Sequence, residues 1–264
     1  MRLFVVCFAL LSAGPLLAED WTRFRGDDGS GIAASVAPTT WSDKENLVWK
    51  TPLPGPGSSS PIALGDRVYV TCYSGYGVDA RNANSGKLRW FVRTEILGNV
   101  SPSVMHRDGV IYATGGIRGS GSMAVRVGGK GDITDSNVIW SSRNSSYVAT
   151  PVLYEGHLYW VDDRGQAWCS RVSDGEQVYR ERLADTGGGR PFYASPVLAD
   201  GKLYCVSRRG GTFVLAGKPT FSQIAVNRFD GDDTDFNATP AIVDGEIVLR
   251  SNQALYCVKS RPSN

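Results

Sequence analysis

The sequence predicts an all-β chain: a β-propeller of about five four-stranded antiparallel blades, closed by an N-terminal strand that pairs into the last blade. Three observations predict it. Five Ser/Thr-Pro pairs recur at Ser60-Pro61, Ser101-Pro102, Thr150-Pro151, Ser195-Pro196 and Thr239-Pro240, with their prolines 41, 49, 45 and 44 residues apart. Each pair opens the same phrase: a short apolar run, an acidic-glycine turn, then a β-branched or leucine residue beside an aromatic. The phrase reads Gly65-Asp66 with Val68-Tyr69, Asp108-Gly109 with Ile111-Tyr112, Glu155-Gly156 with Leu158-Tyr159, and Asp200-Gly201 with Leu203-Tyr204. A weaker copy has Asp244-Gly245 with Ile247-Val248. Finally, 31 glycines, 7 tryptophans and 11 tyrosines in 264 residues suit a turn-rich all-β chain better than a helical one.

Residues 1–18 read as a secretory signal peptide. Arg2 supplies the positive start, Leu3 to Leu11 the apolar stretch, Gly14-Pro15 the break, and Ala18 the small residue before cleavage. The stretch is too short to span a bilayer. Cys7 lies inside it rather than at its end, so no lipoprotein anchor is expected. The expected location is periplasmic or secreted. Residues 19–45 lack periodicity and form an arm, which Trp21, Phe24 and Trp41 can pin to the propeller.

The propeller is expected over residues 46–261, with blades near 60–96, 101–146, 150–187, 195–230 and 239–259. Each first strand begins at its proline pair, where a missing N–H is tolerated. The acidic-glycine turn makes a tight hairpin into the second strand. Blade five ends after Ala254 to Lys259 with no fourth strand. Asn46 to Lys50 has the pattern of a fourth strand, with Trp49 where Trp90 and Trp140 sit in their blades. It is expected to complete blade five and close the ring, because open sheet edges are aggregation-prone; Trp49→Ala would then cost about 3–5 kcal/mol if the indole is buried.

One turn is distinctive. Ala80-Arg81-Asn82-Ala83-Asn84-Ser85-Gly86-Lys87-Leu88-Arg89-Trp90 resembles the tryptophan-docking motif of pyrroloquinoline-quinone (PQQ) dehydrogenase propellers, with Asn82 for the motif's Asp and Ser85 for its Thr. Ala80, Gly86, Lys87 and Trp90 would then form a structural docking turn. A worn copy follows at Cys169, Arg171, Asp174-Gly175-Glu176 and Tyr179. With Trp21 to Gly26, Met123 to Gly129 and Phe192 to Val197, these residues resemble the bacterial PQQ-like repeat proteins, a group that includes an outer-membrane assembly propeller. Members of that group carry about eight blades. About five are counted here, with the join between Tyr76 and Lys87.

The resemblance implies either a binding scaffold or a PQQ-dependent oxidoreductase, or a degenerate remnant of one. The enzyme would need PQQ against Ca²⁺, with carboxylate and amide ligands, an Asp base and adjacent cysteines. The chain has no adjacent cysteines, and no such ligand set can be matched residue by residue. No cofactor, metal or catalytic residue is therefore expected. Asp230 to Asp235 has the oxygen density of a Ca²⁺ loop but lacks the EF-hand glycine and glutamate, so it reads as a solvated acidic loop. The two histidines, His106 and His157, sit in first-to-second-strand hairpins without a nucleophile. Gly115 to Gly119 and Gly187 to Gly189 precede no helix that could present its N-terminus to phosphate.

Charge excludes more. A formal net charge of +2 argues against nucleic acid. Cys72, Cys169, Cys205 and Cys257 fall on different blades or strands and read as buried small hydrophobes. The loops joining strands two and three share a face with the loops joining blades. That face collects Tyr73, Tyr76, Arg118, Asp162, Asp163, Arg164, Arg190, Arg208 and Arg209, with the Asp230 to Asp235 loop beside them. Arginine and tyrosine are favoured contact residues, so a partner, an envelope protein or small ligand, is expected there. Joint substitution of Arg208 and Arg209 is expected to weaken binding without lowering thermal stability.

Overall fold

Acidic-glycine dipeptides fix the hairpins from which the fold is built. Both residues of each take positive φ: Asp108 50° and Gly109 73°, Glu155 42° and Gly156 73°, Asp200 47° and Gly201 64°, Asp244 50° and Gly245 74°. A two-residue type I′ turn requires this, and its twist matches the strands it joins. Arg107 faces Val110, Tyr154 faces His157, Ala199 faces Lys202 and Val243 faces Glu246 across these turns.

The computed structural model describes residues 21, 25–26, 31–52, 62–64, 67–69, 90–93, 96, 101–102, 105–116, 120–126 and 128–260. Phe24, Cys72, Tyr73, Tyr76, Arg118, the docking turn with Ala80, Gly86 and Lys87, and the join between Tyr76 and Lys87 lie outside the described residues. The secondary structure of the described residues is almost wholly β, with one short helix, Thr134–Asn137.

Blades two, three and four are antiparallel meanders. Blade two runs Met105–Arg107, Val110–Gly115, Gly121–Arg126 and Val138–Ser142. Blade three runs Val152–Tyr154, His157–Val161, Gln166–Arg171 and Gln177–Arg182. Blade four runs Val197–Ala199, Lys202–Ser207, Gly211–Ala216 and Gln223–Asn227. Blade five has Ala241–Val243, Glu246–Arg250 and Ala254–Lys259, and Leu47–Pro52 adds the fourth strand antiparallel to Ala254–Lys259. In blade one the described strands are Ile62–Leu64, paired with Arg67–Tyr69, and Trp90–Phe91. Trp90–Phe91 pairs parallel with Gly131–Asp132, in the connection between blade two's third and fourth strands.

The first strands start after the prolines rather than at them, at Val152, Val197 and Ala241. The Ser/Thr-Pro pairs do something else. The Thr150 N–H donates to Ser195 Oγ at 2.8 Å, and the Ser195 N–H donates to Thr239 Oγ1 at 3.0 Å. Each hydroxyl thus accepts from the blade before it, and all three residues are buried. Proline prevents the ladder from starting and holds the residue before it extended. That leaves a sideways N–H which must find a partner when buried.

Packing follows the same blade-to-blade logic. Blade two presents Met105, Tyr112, Ala124 and Trp140 to Leu153, Leu158, Trp160 and Trp168 of blade three. Blade three's other face, with Tyr159, Cys169 and Tyr179, packs on Leu203, Cys205, Phe213 and Leu215 of blade four. Blade four's second face meets Ile242, Ile247, Leu249 and Tyr256 of blade five. Trp140 docks on the next blade: its Nε1–H donates to Val172 O at 2.7 Å, and its ring lies on Gly175. A Cβ at Gly175 would come 2.5 Å from that indole, and φ there is 74°, so the turn requires glycine. Tyr179 occupies the equivalent place in blade three and meets Phe221 of blade four edge-on, with centroids 5.6 Å apart.

Each outer strand carries a bulge at the same point. The register skips Val48, Ile139, Val178 and Ile224, always one residue before Trp49, Trp140, Tyr179 or Ala225. A bulge adds twist and re-aims the next side chain. In blade two this buries Trp140 at 8% exposure, whereas Trp49 is 38% exposed. The strand pairs as expected, with Trp49 opposite Cys257.

The arm becomes part of the ring. Ile32–Ala33 pairs parallel with Leu198 and Ala199, adding a fifth strand to blade four on its inner side. Trp21, Ala33, Ala37 and Trp41 join the core between blades four and five. Trp41 stacks on Tyr204, whose hydroxyl donates to Ala37 O at 3.0 Å. The Asn227 side chain accepts from Trp41 N–H at 2.8 Å and donates to Thr39 O at 2.9 Å. Arg25, 1% exposed, donates to Pro151 O at 2.6 Å. Cys169, Cys205 and Cys257 are buried free thiols, each pushed up to about 12 by burial, so they stay protonated.

Two outcomes are expected. Ser195→Ala leaves the buried Thr150 N–H without its acceptor and should cost about 1–3 kcal/mol in urea unfolding. A loss no larger than that of an exposed serine would remove the hydroxyl from its bridging role. Trp140→Ala should cost about 3–5 kcal/mol, and Trp49→Ala clearly less, since much of that side chain already meets water. Equal losses would show that Trp49 is covered as fully as Trp140.

Candidate functional site

The face predicted to bind is formed by turns that cap themselves. In blades three, four and five the turn between the second and third strands begins with a side-chain acceptor. Asp162 Oδ1 accepts from the N–H groups of Arg164 and Gln166, both at 2.9 Å, and Oδ2 accepts from Trp168 Nε1–H at 2.9 Å. Ser207 Oγ accepts from Gly210 N–H at 3.1 Å and donates to Thr186 O at 2.7 Å. Ser251 Oγ accepts from Gln253 and Ala254 N–H groups. These acceptors hold the turns in place of regular ladder bonds. Asp162 is therefore buried and committed to its own turn, which corrects its assignment to the contact surface.

Backbone bonds then tie the blade-four turn to both neighbouring connections. Arg208 N–H donates to Pro191 O at 2.7 Å, and Arg208 O accepts from Phe236 N–H at 2.9 Å. Asp235 O accepts from Asn252 N–H at 3.1 Å, linking blade five. On this frame Asp235 binds two guanidinium groups, Arg208 and Arg209, the latter Nε to Oδ1 at 2.7 Å. Arg208 also lies over the Tyr193 ring at 5.2 Å. Arg190 lies over Tyr147 at 5.3 Å and pairs with Asp163 at 3.5 Å. Gly187, Gly188, Gly189, Arg190, Arg208, Arg209 and Asp235 enclose a cavity of about 320 Å³.

Burial works to raise the Asp235 carboxyl pKa, but the hydrogen bonds and charges of Arg209 and Arg208 outweigh it and hold it below the usual carboxylate range. Asp232 is likewise held low: burial opposes ionisation, and hydrogen bonds from Ser251, Thr234 and Tyr256 outweigh it. Tyr256 donates to Asp232 at 2.5 Å, and Thr234 donates both N–H and hydroxyl to its other oxygen. The loop read as a solvated acidic turn is instead a structural latch between blades four and five. The Asp235 side chain is only 12% exposed.

Residues 39–146 match the family described as outer membrane protein assembly factor BamB. That match covers 108 of the 264 residues, and the four-stranded blades around it give the chain a β-propeller fold. No curated protein matches it. Among solved structures, BamB from Moraxella catarrhalis is 16% identical, with 78% of this chain and 57% of that one covered and a TM-score of 0.48. The quinohemoprotein alcohol dehydrogenase ADHIIG from Pseudomonas putida HK5 is 13% identical, with 88% and 34% covered and a TM-score of 0.41. A europium-containing methanol dehydrogenase is 10% identical, with 79% and 31% covered and a TM-score of 0.38. The chain thus spans less than two thirds of each of these proteins.

On this face the described carboxylates Asp162, Asp232 and Asp235 already serve hydrogen bonds or arginines. No group of three or more His, Cys, Asp or Glu that could hold a metal ion occurs among the described residues. His157 sits on the opposite face, its Nδ1 2.8 Å from Glu155 O. The structure brings together Arg190, Arg208 and Arg209, and leaves Arg164 exposed near them. Tyr147 and Tyr193 were missed as site residues. The rule that places Arg190, that blade connections share this face, also reaches both tyrosines.

The joint substitution of Arg208 and Arg209 is corrected too, because it would strand a largely buried carboxylate. Asp235→Asn isolates that term. A depressed carboxyl stabilises the fold above its unfolded value of about 3.9 and loses that contribution as pH falls through its folded value. The wild type should exceed the variant by about 1–2 kcal/mol between about pH 5 and about pH 8, with Arg209 largely in water limiting the gain. The gap should close below about pH 4 in urea unfolding. A gap unchanged at about pH 2.5 would show that charge pairing is not its source.

Proposed function

We propose that this protein is a non-catalytic, exported propeller that binds or scaffolds another component of the bacterial cell envelope. Its contact surface is the face of second-to-third-strand turns and blade connections. One observation carries the reading: Arg190, Arg208 and Arg209 stand around one cavity on a backbone cross-bonded between three blades. Arginine held rigid beside tyrosine loses little freedom on contact, which favours binding over isolated surface charge. The leader pattern of residues 1–18 and the family description of residues 39–146 support the envelope setting. No described helix is long and apolar enough to cross a membrane. On this reading no cofactor is used.

The test is capture from envelope extracts with three proteins: wild type, Arg190→Gln/Arg209→Gln, and Glu155→Gln/Lys202→Gln on the opposite face. Arg190 and Arg209 have side chains 50% and 64% exposed, so this pair should leave the melting temperature nearly unchanged. A partner captured by wild type should be lost with the first variant and retained with the second. Equal capture by all three would overturn the surface assignment. Ca²⁺-dependent dye reduction after loading with PQQ would overturn the non-catalytic reading.

A further inference from the structure

A second cavity opens on the same face, between the end of blade four and the connection to blade five. It measures about 260 Å³. Ligand sites for drug-sized molecules run from about 300 to 1,000 Å³, so this volume suits a single long side chain. Phe229 and Phe236 form one wall, with centroids 6.4 Å apart and planes 15° apart. Tyr256 backs them, 3.9 Å from Phe229. Asp230, Asp232 and Asp233 line the connection side.

Two arginines also line it, but each is engaged. Arg209 is paired with Asp235, and Arg228 donates to the neutral Asp185 O at 3.1 Å and keeps its charge, so three carboxylates stand against one uncompensated guanidinium. Asp232 is held ionised by Tyr256 and Thr234, while Asp230 and Asp233 are exposed at the rim. The cavity therefore combines an aromatic wall with an excess of carboxylates. An anion would meet that excess directly. A cation gains from the carboxylates and from the negative faces of the rings.

We infer that this cleft receives a basic side chain, ammonium or guanidinium, presented by the partner. The inference rests on the reading of this face as a binding surface, and it names the chemistry one part of that surface selects. The neighbouring arginine cavity would take acidic groups from the same partner, so opposite charges lie side by side across Arg209. A partner with mixed charge would then be held in one orientation.

Short blocked peptides test the cleft without any envelope partner. Acetyl-Gly-Lys-Gly-amide and its arginine counterpart should bind the full chain by calorimetric titration. The norleucine peptide, which keeps the length and loses the charge, should bind at least about tenfold more weakly. Phe236→Leu and, separately, Asp230→Asn/Asp233→Asn should each lower affinity about three- to tenfold. The Asp230 and Asp233 pair is exposed, so its melting temperature should match wild type even if Phe236→Leu is unstable. Equal binding of the norleucine peptide, preference for a glutamate peptide, or no binding of either cationic peptide would each overturn the inference. If the wild type still captures its envelope partner while binding no cationic peptide, this inference fails and the proposed function stands.

Discussion

The bond from one blade's backbone N–H to the next blade's Ser/Thr hydroxyl is the constraint on which this architecture depends. Thr150 N–H to Ser195 Oγ and Ser195 N–H to Thr239 Oγ1 connect residues 45 and 44 positions apart, one blade step each time. The proline that follows each of these residues explains the arrangement. It has no N–H, and it keeps the residue before it extended. The preceding amide is then directed out of its own sheet. In the buried interior it cannot turn to water, and an unmet buried amide is costly. A hydroxyl of fixed length from the next blade satisfies it and sets how closely the two inner strands approach.

The rest of the packing elaborates that spacing. Once inner strands are fixed side by side, the twisted sheets diverge towards the rim, and the gap must be filled. Large aromatics fill it: Trp160 stacked on Trp168 between blades two and three, and Trp41 on Tyr204 between blades four and five. A ring with few blades opens wider gaps than one with many. The arm supplies extra volume at one of them, with Trp21, Ala37 and Trp41 wedged between blades four and five. Farther out, the outer-strand bulges turn Trp140 and Tyr179 onto the next blade. One repeat unit is therefore incomplete alone: its inner amide, its outer aromatic and its sheet face are all satisfied by a neighbour.

That division explains what was legible in the sequence. The hairpins were legible because an acidic residue and glycine at positive φ carry their own local reason. The closing strand was legible because Leu47, Val48 and Trp49 repeat a pattern that has no partner nearby in the chain. The exposure of Trp49 was not, because cover for an outer aromatic comes from another blade's turn. The strand at Ile32–Ala33 was hidden for a similar reason: two residues show no periodicity, and the inner edge of blade four alone makes them a strand. At the candidate site, placing Arg190, Arg208 and Arg209 on one face needed only the meander rule. Which charges are consumed internally, as Arg208 and Arg209 are by Asp235, depends on distances that no spacing encodes.

Internal pairing also bears on what such a face can do. Here Asp162 serves its turn, Asp232 serves Thr234 and Tyr256, and Asp235 serves two arginines. Those bonds fix the carboxylates in place, and they hold Arg209, 64% exposed at its side chain, in a defined position at the surface. A guanidinium has five donors, and a carboxylate that occupies one or two of them orients the others. The pairing that fixes the carboxylates thus also orients a guanidinium. Arg209, 64% exposed and held by Asp235 at 2.7 Å, combines both properties in one side chain.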